Sequence, residues 1–151
     1  MRVEGILKAK GRSVETATPN ADLRVVLHKL SALGIGALVV TADGVRVAGT
    51  ISERDVVRGL NKHGAGLLDL RAKDVMTRNV PTCSPDDLLQ HVMGVMTRTR
   101  HRHIPVVDEN GLCGIVSVGD VVKHRLEEME LETNVLRDAH IARHGTVDLR
   151  T

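Results

Sequence analysis

The sequence GTISERDVV spans Gly49–Val57, and GIVSVGDVV repeats its pattern at Gly114–Val122. In each copy a glycine and a short apolar stretch lead to a serine, and an aspartate follows three residues later. A short apolar stretch is typical of a strand, and Ser-x-x-Asp before further apolar residues is typical of a helix start. The motif therefore predicts a strand that passes directly into a helix, twice in one chain of 151 residues.

The repetition extends upstream of this motif. Thr18–Leu30 and Ser84–Met96 both open with Thr-Pro or Ser-Pro and continue with apolar residues at helical spacing. These apolar residues are Leu23, Val26, Leu27 and Leu30 in the first segment, and Leu89, Val92, Met93 and Met96 in the second. Spacing of i, i+3, i+4 and i+7 buries one face of a helix, so each segment predicts an amphipathic helix.

Strand-like segments surround each predicted helix. Ala37–Thr41 and Ile104–Asp108 follow the helices, and each leads through a turn signal into the strand of the repeated motif. Shorter segments at Ser13–Ala17 and Asn79–Cys83 come before the helices. Each half thus predicts a β-α-β-β-α unit. A unit of about 60 residues buries little surface and is only marginally stable alone, so we expect an α/β (α+β) fold in which the two repeats pack with pseudo-two-fold symmetry.

The predicted boundaries are 1–65 for the first repeat, 66–126 for the second, and 127–151 for a helical extension and tail. One long helix is predicted from Asp120 to Gly145. Its thin apolar stripe consists of Leu126, Met129, Val135 or Leu136, and Ala139. Such a helix packs either on its own module or on a second copy of the chain.

Composition excludes several classes of function. The chain has no Phe, Tyr or Trp, so aromatic stacking on bases is absent, and its formal charge of +2 argues against binding to nucleic acid. Cys83 and Cys113 form no Cys-x-x-Cys pair, and no apolar run reaches membrane-spanning length, which together favour a reducing cytoplasm. No nucleotide-loop or nucleophile-elbow motif occurs, so we expect no catalytic residues. No metal is expected either, since His101 and His103 have no third ligand nearby.

The Ser-x-x-Asp motif has two compatible interpretations. As a capping box, Ser52 or Ser117 accepts a hydrogen bond from the third helical amide. As a ligand site, the carboxylate of Asp55 or Asp120 offers two acceptor oxygens to the two adjacent hydroxyls of a ribose. The helix N-terminus behind each aspartate also suits a phosphate.

The basic segment Arg98–His103 is the densest positive patch in the sequence. Arg102 and His103 directly precede a predicted buried strand, so they are candidates for phosphate contact, and Arg54 is a further candidate. The alternatives are a solvated loop or, for His101 and His103, a metal site that lacks a third ligand nearby.

These features together resemble a CBS-domain pair, also called a Bateman module, of the stand-alone bacterial type. The resemblance is carried by the doubled unit, by DVMT at Asp74–Thr77, by RHIPVVDENG at Arg102–Gly111, and by the repeated motif. It implies clefts for adenosyl ligands such as AMP, ADP, ATP, NAD(H) or S-adenosylmethionine, and a homodimer. The first repeat has no Pro or basic pair in its GALVV segment, so the two clefts should differ.

The resemblance also implies where the parts of a nucleotide lie. Phosphates would contact Arg102 and His103, and ribose would contact the two Ser-x-x-Asp motifs. Adenine would lie among strand residues and their backbone; the candidates are Ile104, Pro105, Val106, Thr16, Thr18, Thr82 and Cys83. Burial in the core is the alternative role for these strand residues.

The expected function is a non-catalytic regulatory module that responds to adenylate or NAD(H) status and signals to an unidentified protein effector. A constitutive dimeric scaffold without a functional ligand site is the first alternative. A metal- or DNA-associated regulator that uses the basic segment is the second.

Overall fold

The computed structural model describes residues 1–144 of the chain. The predicted helix end at Gly145 and the predicted tail lie outside the described residues. Within residues 1–144, no helix is both long and apolar enough to cross a membrane.

The first repeat contains a three-stranded sheet in the order β1–β2–β3. Its strands are β1 (Thr16–Ala17), β2 (Ala37–Val40) and β3 (Gly49–Ser52), with β1 parallel and β3 antiparallel to β2. Helix α2 (Leu23–Leu33) connects β1 to β2, and α3 (Glu53–His63) begins directly after β3. The predicted passage from strand to helix is therefore confirmed in this repeat.

The linker between the repeats, residues 64–77, is ordered and ends in a backbone bridge to the first sheet. It forms a 3-10 helix at Gly64–Asp69 and a short helix, α4 (Ala72–Val75). Thr77 and Thr50 then exchange backbone hydrogen bonds, with N···O distances of 3.1 and 2.9 Å. The DVMT motif thereby fixes Thr77 beside β3, at the start of the second repeat.

The second repeat repeats the hairpin and the strand-to-helix passage. Its elements are α5 (Leu89–Thr99), β4 (His103–Asp108), β5 (Gly111–Ser117) and α6 (Val118–His144). Strands β4 and β5 form a two-stranded antiparallel sheet in which His103 is paired with Ser117. The predicted long C-terminal helix is confirmed.

The opening strand predicted at Asn79–Cys83 is reduced to one parallel bridge between Cys83 and Val106. The backbone explains the difference. Asn79 has a left-handed φ of 53°, and Pro81 has no amide hydrogen for a sheet ladder. The opening strand of the first repeat is also shorter than predicted, since only Thr16–Ala17 remains in the sheet.

An additional helix at the N-terminus, α1 (Val3–Lys10), packs against the second repeat. Val3, Ile6 and Leu7 are buried in that repeat's core. A Cβ on Gly114 of β5 would lie 2.6 Å from a methyl carbon of Leu7, so the glycine allows the helix to approach the strand. This contact brings the basic end of α1 close to the start of α6.

Each repeat has its own core. Both cores are aliphatic, because the chain has no aromatic side chains. The first core is built from Leu23, Val26, Leu30, Leu38, Val40, Ile51, Leu67 and Ala72 with Ala17. The second contains Leu89, Val92, Met96, Ile104, Val106, Val116, Val121 and Cys83 with the α1 residues. The predicted helix faces are buried except for Met93, which is 40% exposed, and Leu27, which is partly buried.

Candidate functional site

A cavity of about 1270 Å³ lies where the two repeats meet. Its walls come from the start of α3, the residues leading into β4, and the first turns of α6. Residues on these walls include Ser52, Arg54, Asp55, Arg58, Thr77, Arg100, His101, Arg102, His103, Ser117, Gly119 and Lys123. Both repeats therefore contribute helix N-termini and side chains to one space.

Both Ser-x-x-Asp motifs form capping boxes, as the structural interpretation predicted. The Asp55 amide donates to Ser52 Oγ at 3.4 Å, and the Ser52 amide donates to Asp55 Oδ2 at 2.8 Å. The Asp120 amide donates to Ser117 Oγ at 3.1 Å, and the Ser117 amide donates to Asp120 Oδ2 at 2.9 Å. Each motif thus satisfies its own helix start.

The first amide of each helix is also occupied. Glu53 N donates to the carbonyl oxygen of Gly36 at 3.1 Å, and Val118 N donates to that of Arg102 at 2.9 Å. Within residues 1–144, the second helical amides, of Arg54 and Gly119, have no acceptor. Both residues line the cavity, so each helix offers it one open amide and the positive end of its dipole.

The carboxylate of Asp55 is buried, with 5% of the residue exposed. Oδ1 accepts a hydrogen bond from Thr77 Oγ1 at 2.5 Å and lies 3.6 Å from Arg58 Nη1. Oδ2 accepts from both the amide and the hydroxyl of Ser52. A ribose can reach this carboxylate only by replacing or sharing one of these donors, and Thr77 and Arg58 are the two outside the cap.

The carboxylate of Asp120 has a different set of contacts. Lys10 Nζ donates to its Oδ2 at 2.7 Å and to the carbonyl oxygen of Ile115 at 3.0 Å. Burial alone would raise the pKa of the Asp120 carboxyl, but the hydrogen bonds from Lys10 and the Ser117 amide bring its pKa below the usual 3.8. Asp120 is thus held as an anion by the first helix, while Asp55 is held by its own repeat and the linker.

The basic residues predicted to contact phosphate line the cavity. Arg102 is exposed and precedes β4 directly. Arg54 reaches from α3 to donate to the carbonyl oxygen of Arg100 at 3.2 Å, which bridges the two repeats. Nδ1 of His101 is buried and has no hydrogen-bond partner among residues 1–144. A buried ring nitrogen of this kind is left for a water or ligand atom to satisfy.

His103 lies at the contact between the repeats, beside Gly36 of the first repeat. A Cβ on Gly36 would lie 3.0 Å from Cε1 of its ring, so the absence of a side chain there makes room for the imidazole. Burial lowers the pKa of His103, and the positive charges of Lys10 and Arg102 lower it further against the opposing effect of Asp120 and Glu53. The ring is therefore neutral at pH 7 in this structure.

The residues predicted to contact adenine do not line this cavity. Ile104, Pro105, Val106 and Cys83 are buried, and Thr16, Thr18 and Thr82 lie at the opening segments of the two repeats. Thr16 also receives a hydrogen bond from Lys29 Nζ on its carbonyl oxygen at 2.8 Å. Burial raises the pKa of the Cys83 thiol to about 12, so this cysteine is protonated and unreactive. Contact between these residues and a base remains a prediction.

Three residues of the site were missed by the sequence analysis, namely Thr77, Arg58 and Lys10. Thr77 had a signal, because it ends the DVMT motif that carried part of the resemblance. Arg58 follows Asp55 by three residues, which places it on the same helix face. Lys10 had no local signal, since its contact with Asp120 depends on how α1 packs.

No group of three or more His, Cys, Asp or Glu side chains in residues 1–144 is placed to hold a metal ion. The histidines of the basic segment instead face the cavity.

Comparison with known proteins agrees with the geometry. The family model for the CBS domain matches residues 11–62 and 72–127. The crystal structure of the CBS-domain containing protein ATU1752 from Agrobacterium tumefaciens is 38% identical, with a TM-score of 0.79, and covers 83% of this chain and 99% of that one. The first two curated relatives are longer: the chain spans 65% and 34% of their lengths.

Two further structures share the fold at lower identity. CBSX2, solved in complex with AMP, is 23% identical with a TM-score of 0.68, and covers 78% of this chain and 90% of that one. The CBS domain pair of MJ0100, solved with 5′-methylthioadenosine and S-adenosyl-L-methionine, is 24% identical with a TM-score of 0.74, and covers 85% of this chain and 98% of that one.

Two strand-to-helix units that close around a shared basic cavity define a paired-repeat module, in which the site belongs to neither repeat alone. With both of its repeats matched by the family model, the chain belongs to the CBS domain family and carries a CBS domain pair.

Proposed function

We propose that the cavity between the repeats binds the phosphate-bearing part of an adenosyl nucleotide, and that the protein is a regulatory module without catalytic activity. The observation that carries this proposal is the convergence of two helix N-termini with Arg54, Arg102 and His103 on one cavity. Oriented amides and guanidinium groups are the donors that phosphate oxygens require. The adenosyl ligands named for two structures of the same fold support the choice of ligand class.

The contacts suggest separate roles for the residues around the cavity. Arg102 and Arg54 supply planar donor groups from the two repeats, and a phosphate between them would replace the link from Arg54 to the Arg100 carbonyl. The open amides of Arg54 and Gly119 add two fixed donors. Asp55 is the ribose acceptor of this cavity in the proposal, with the Thr77 hydroxyl as the donor that the ribose replaces. Asp120 does not line this cavity and is the proposed ribose acceptor of a second, separate cleft.

A ligand in this position would act through the contact between the repeats. The two walls of the cavity come from different repeats, so a bound phosphate favours the arrangement of the repeats that brings Arg54 and Arg102 together. A ligand shifts a conformational equilibrium only by its difference in affinity for the two states. We propose that a homodimer in the cytoplasm passes this shift to a protein effector, in response to AMP, ADP, ATP, NAD(H) or S-adenosylmethionine.

Calorimetry and thermal unfolding of the full chain with AMP, ADP, ATP, NAD(H) and S-adenosylmethionine test the proposal. A ligand at 100 times its dissociation constant adds about 2.7 kcal/mol to the free energy of unfolding. Arg102→Ala should weaken binding, whereas Arg46→Ala, at an exposed arginine outside the cavity, should not. Absence of heat and of stabilisation with every compound would leave the constitutive scaffold as the better interpretation.

A further inference from the structure

The C-terminal part of α6 is a long helix with no cover in a single chain. Every residue from Met129 to Arg143 is exposed, on all sides of the helix. Most helices in proteins are stabilised by packing of one face against other elements, and an isolated helix of this length is marginal in water. The exposed part of α6 therefore points to a contact made with another molecule.

One side of α6 has the residue spacing of a coiled coil. Val122, Leu126, Met129, Thr133 and Leu136 follow one another at alternating intervals of four and three residues. We call these five residues the α6 stripe. Leu126 is 55% exposed and Leu136 is 71% exposed, so the stripe presents large apolar side chains to solvent. The hydroxyl of Thr133 donates to the Met129 carbonyl oxygen at 2.9 Å, which satisfies it within the helix. Alternating intervals of four and three residues are the pattern by which two helices pack along a common seam.

The charges beside the stripe are arranged in blocks. Lys123 and Arg125 flank its beginning, and Glu130 and Glu132 flank the next two turns. If two copies of α6 run antiparallel, Leu126 of each copy faces Met129 of the other. Lys123 and Arg125 of each helix then lie beside Glu130 and Glu132 of its partner. The two charge blocks are seven residues apart, on either side of the point where the helices cross. Arg125 also pairs with Glu128 of the same helix at 3.1 Å, and it still lies on the flank of the α6 stripe.

We propose that the α6 stripe is the self-association surface of this protein, and that its occupant is α6 of a second copy in antiparallel orientation. The inference deepens the homodimer part of the proposed function, and its test needs no nucleotide. Val122, Leu126 and Glu130 also line the cavity between the repeats. The second helix therefore lies along the open side of that cavity, so assembly and ligand binding share one surface.

Sedimentation equilibrium of the full chain without nucleotide tests the proposal. The wild-type chain should dimerise, and Met129→Glu should raise the dimer dissociation constant roughly tenfold or more, because it buries a charge in the seam. The matched control is Leu131→Glu. Leu131 is 65% exposed and lies on the opposite side of the helix, so this variant should dimerise like the wild type. Circular dichroism should show equal helix content in the wild type and Leu131→Glu, whereas Met129→Glu should lose no more than the helicity of the uncovered part of α6.

Charge reversal tests the orientation. Arg125→Glu should weaken the dimer, and the double variant Arg125→Glu with Glu132→Arg should restore it, because each new glutamate faces a new arginine in the antiparallel pair. In a parallel pair the second change would weaken the dimer further. A monomeric wild type, equal effects of Met129→Glu and Leu131→Glu, or a double variant weaker than the single one would each overturn the proposal. None of these results depends on nucleotide, so they leave the proposed ligand site to its own test.

Discussion

Lys10 Nζ lies 2.7 Å from Oδ2 of Asp120, although 110 residues separate them in the chain. The corresponding aspartate of the first repeat, Asp55, is held by Thr77 and Ser52 instead. The two copies of one sequence motif thus end in different electrostatic surroundings. The Lys10 ammonium group and ribose hydroxyls would compete for the same oxygens of Asp120. Helix α1 therefore limits access to the Asp120 carboxylate.

The first prediction removes this competitor. Lys10→Met keeps the length of the side chain but leaves Asp120 free, and it should strengthen binding of uncharged adenosine about two- to fivefold, the equivalent of a partly exposed ion pair. Isothermal titration calorimetry measures the change. Lys8→Met is the matched control, since Lys8 is an exposed lysine of the same helix. Unchanged or weaker adenosine binding in Lys10→Met would show that Lys10 does not restrict this carboxylate.

The second prediction compares the two aspartates. Asp55→Asn replaces an acceptor oxygen with an amide that faces donors only, in a buried site, and should lower the free energy of unfolding by about 1–3 kcal/mol. Asp120→Asn should cost less, because the Asp120 side chain is 23% exposed and its main partner, Lys10, can turn to water. Urea unfolding at pH 7 measures both variants, and an equal loss in the two would contradict the assigned environments.

The sequence predicted what depends on local pattern. The two helix faces, the hairpins and both passages from strand to helix follow from periodicity and capping, and the structure contains them. It failed at Asn79–Cys83, where β-type residues occur but Asn79 adopts a left-handed φ and Pro81 cannot donate. Backbone conformation at single residues overrides the average preference of a short segment.

The candidate site was predictable to the extent that repetition marks it. The two repeats match at Asp55 and Asp120, which marks both aspartates as site candidates. They differ where the second repeat has Arg102 and His103, because the first repeat has Gly36 and Ala37 there and so lacks the two basic side chains. The Lys10 contact was not predictable, because it arises from three buried α1 residues that could pack on either repeat. Contacts between distant segments depend on tertiary packing, which one sequence does not display.

The third prediction concerns the contact that holds Thr77 beside Asp55. A Cβ on Gly49 would lie 2.4 Å from the backbone oxygen of Thr77, so Gly49→Ala must push the linker away from β3. The expected loss in unfolding free energy is about 1–3 kcal/mol, as for other overpacked sites. Gly66→Ala is the control, because nothing lies within 4 Å of its added methyl group. Thermal unfolding compares the two, and a Gly49→Ala variant as stable as Gly66→Ala would show that the linker is not fixed there.

The fourth prediction is a pH dependence that originates at His103. Lys10, Arg102, Asp120 and Glu53 surround its ring, and burial is the main cause of its lowered pKa. As the pH falls below about 6.5, the unfolded chain takes up a proton at this histidine before the folded chain does. The free energy of unfolding should therefore fall with acidification across this range, and the fall should be smaller in His103→Gln.

Ligand binding should show the opposite trend at the same residue. A phosphate beside His103 favours the imidazolium and raises its pKa, so AMP should bind with proton uptake and with higher affinity at pH 7 than at pH 8, a range in which the phosphate (second pKa about 6) stays mostly dianionic. Adenosine, which has no phosphate, should show a much smaller change. Calorimetry in buffers of different ionisation enthalpy measures the proton uptake. His103→Gln should abolish it, and His91→Gln, at an exposed histidine of α5 outside the cavity, should not. Proton uptake that persists in His103→Gln would assign the titrating group elsewhere.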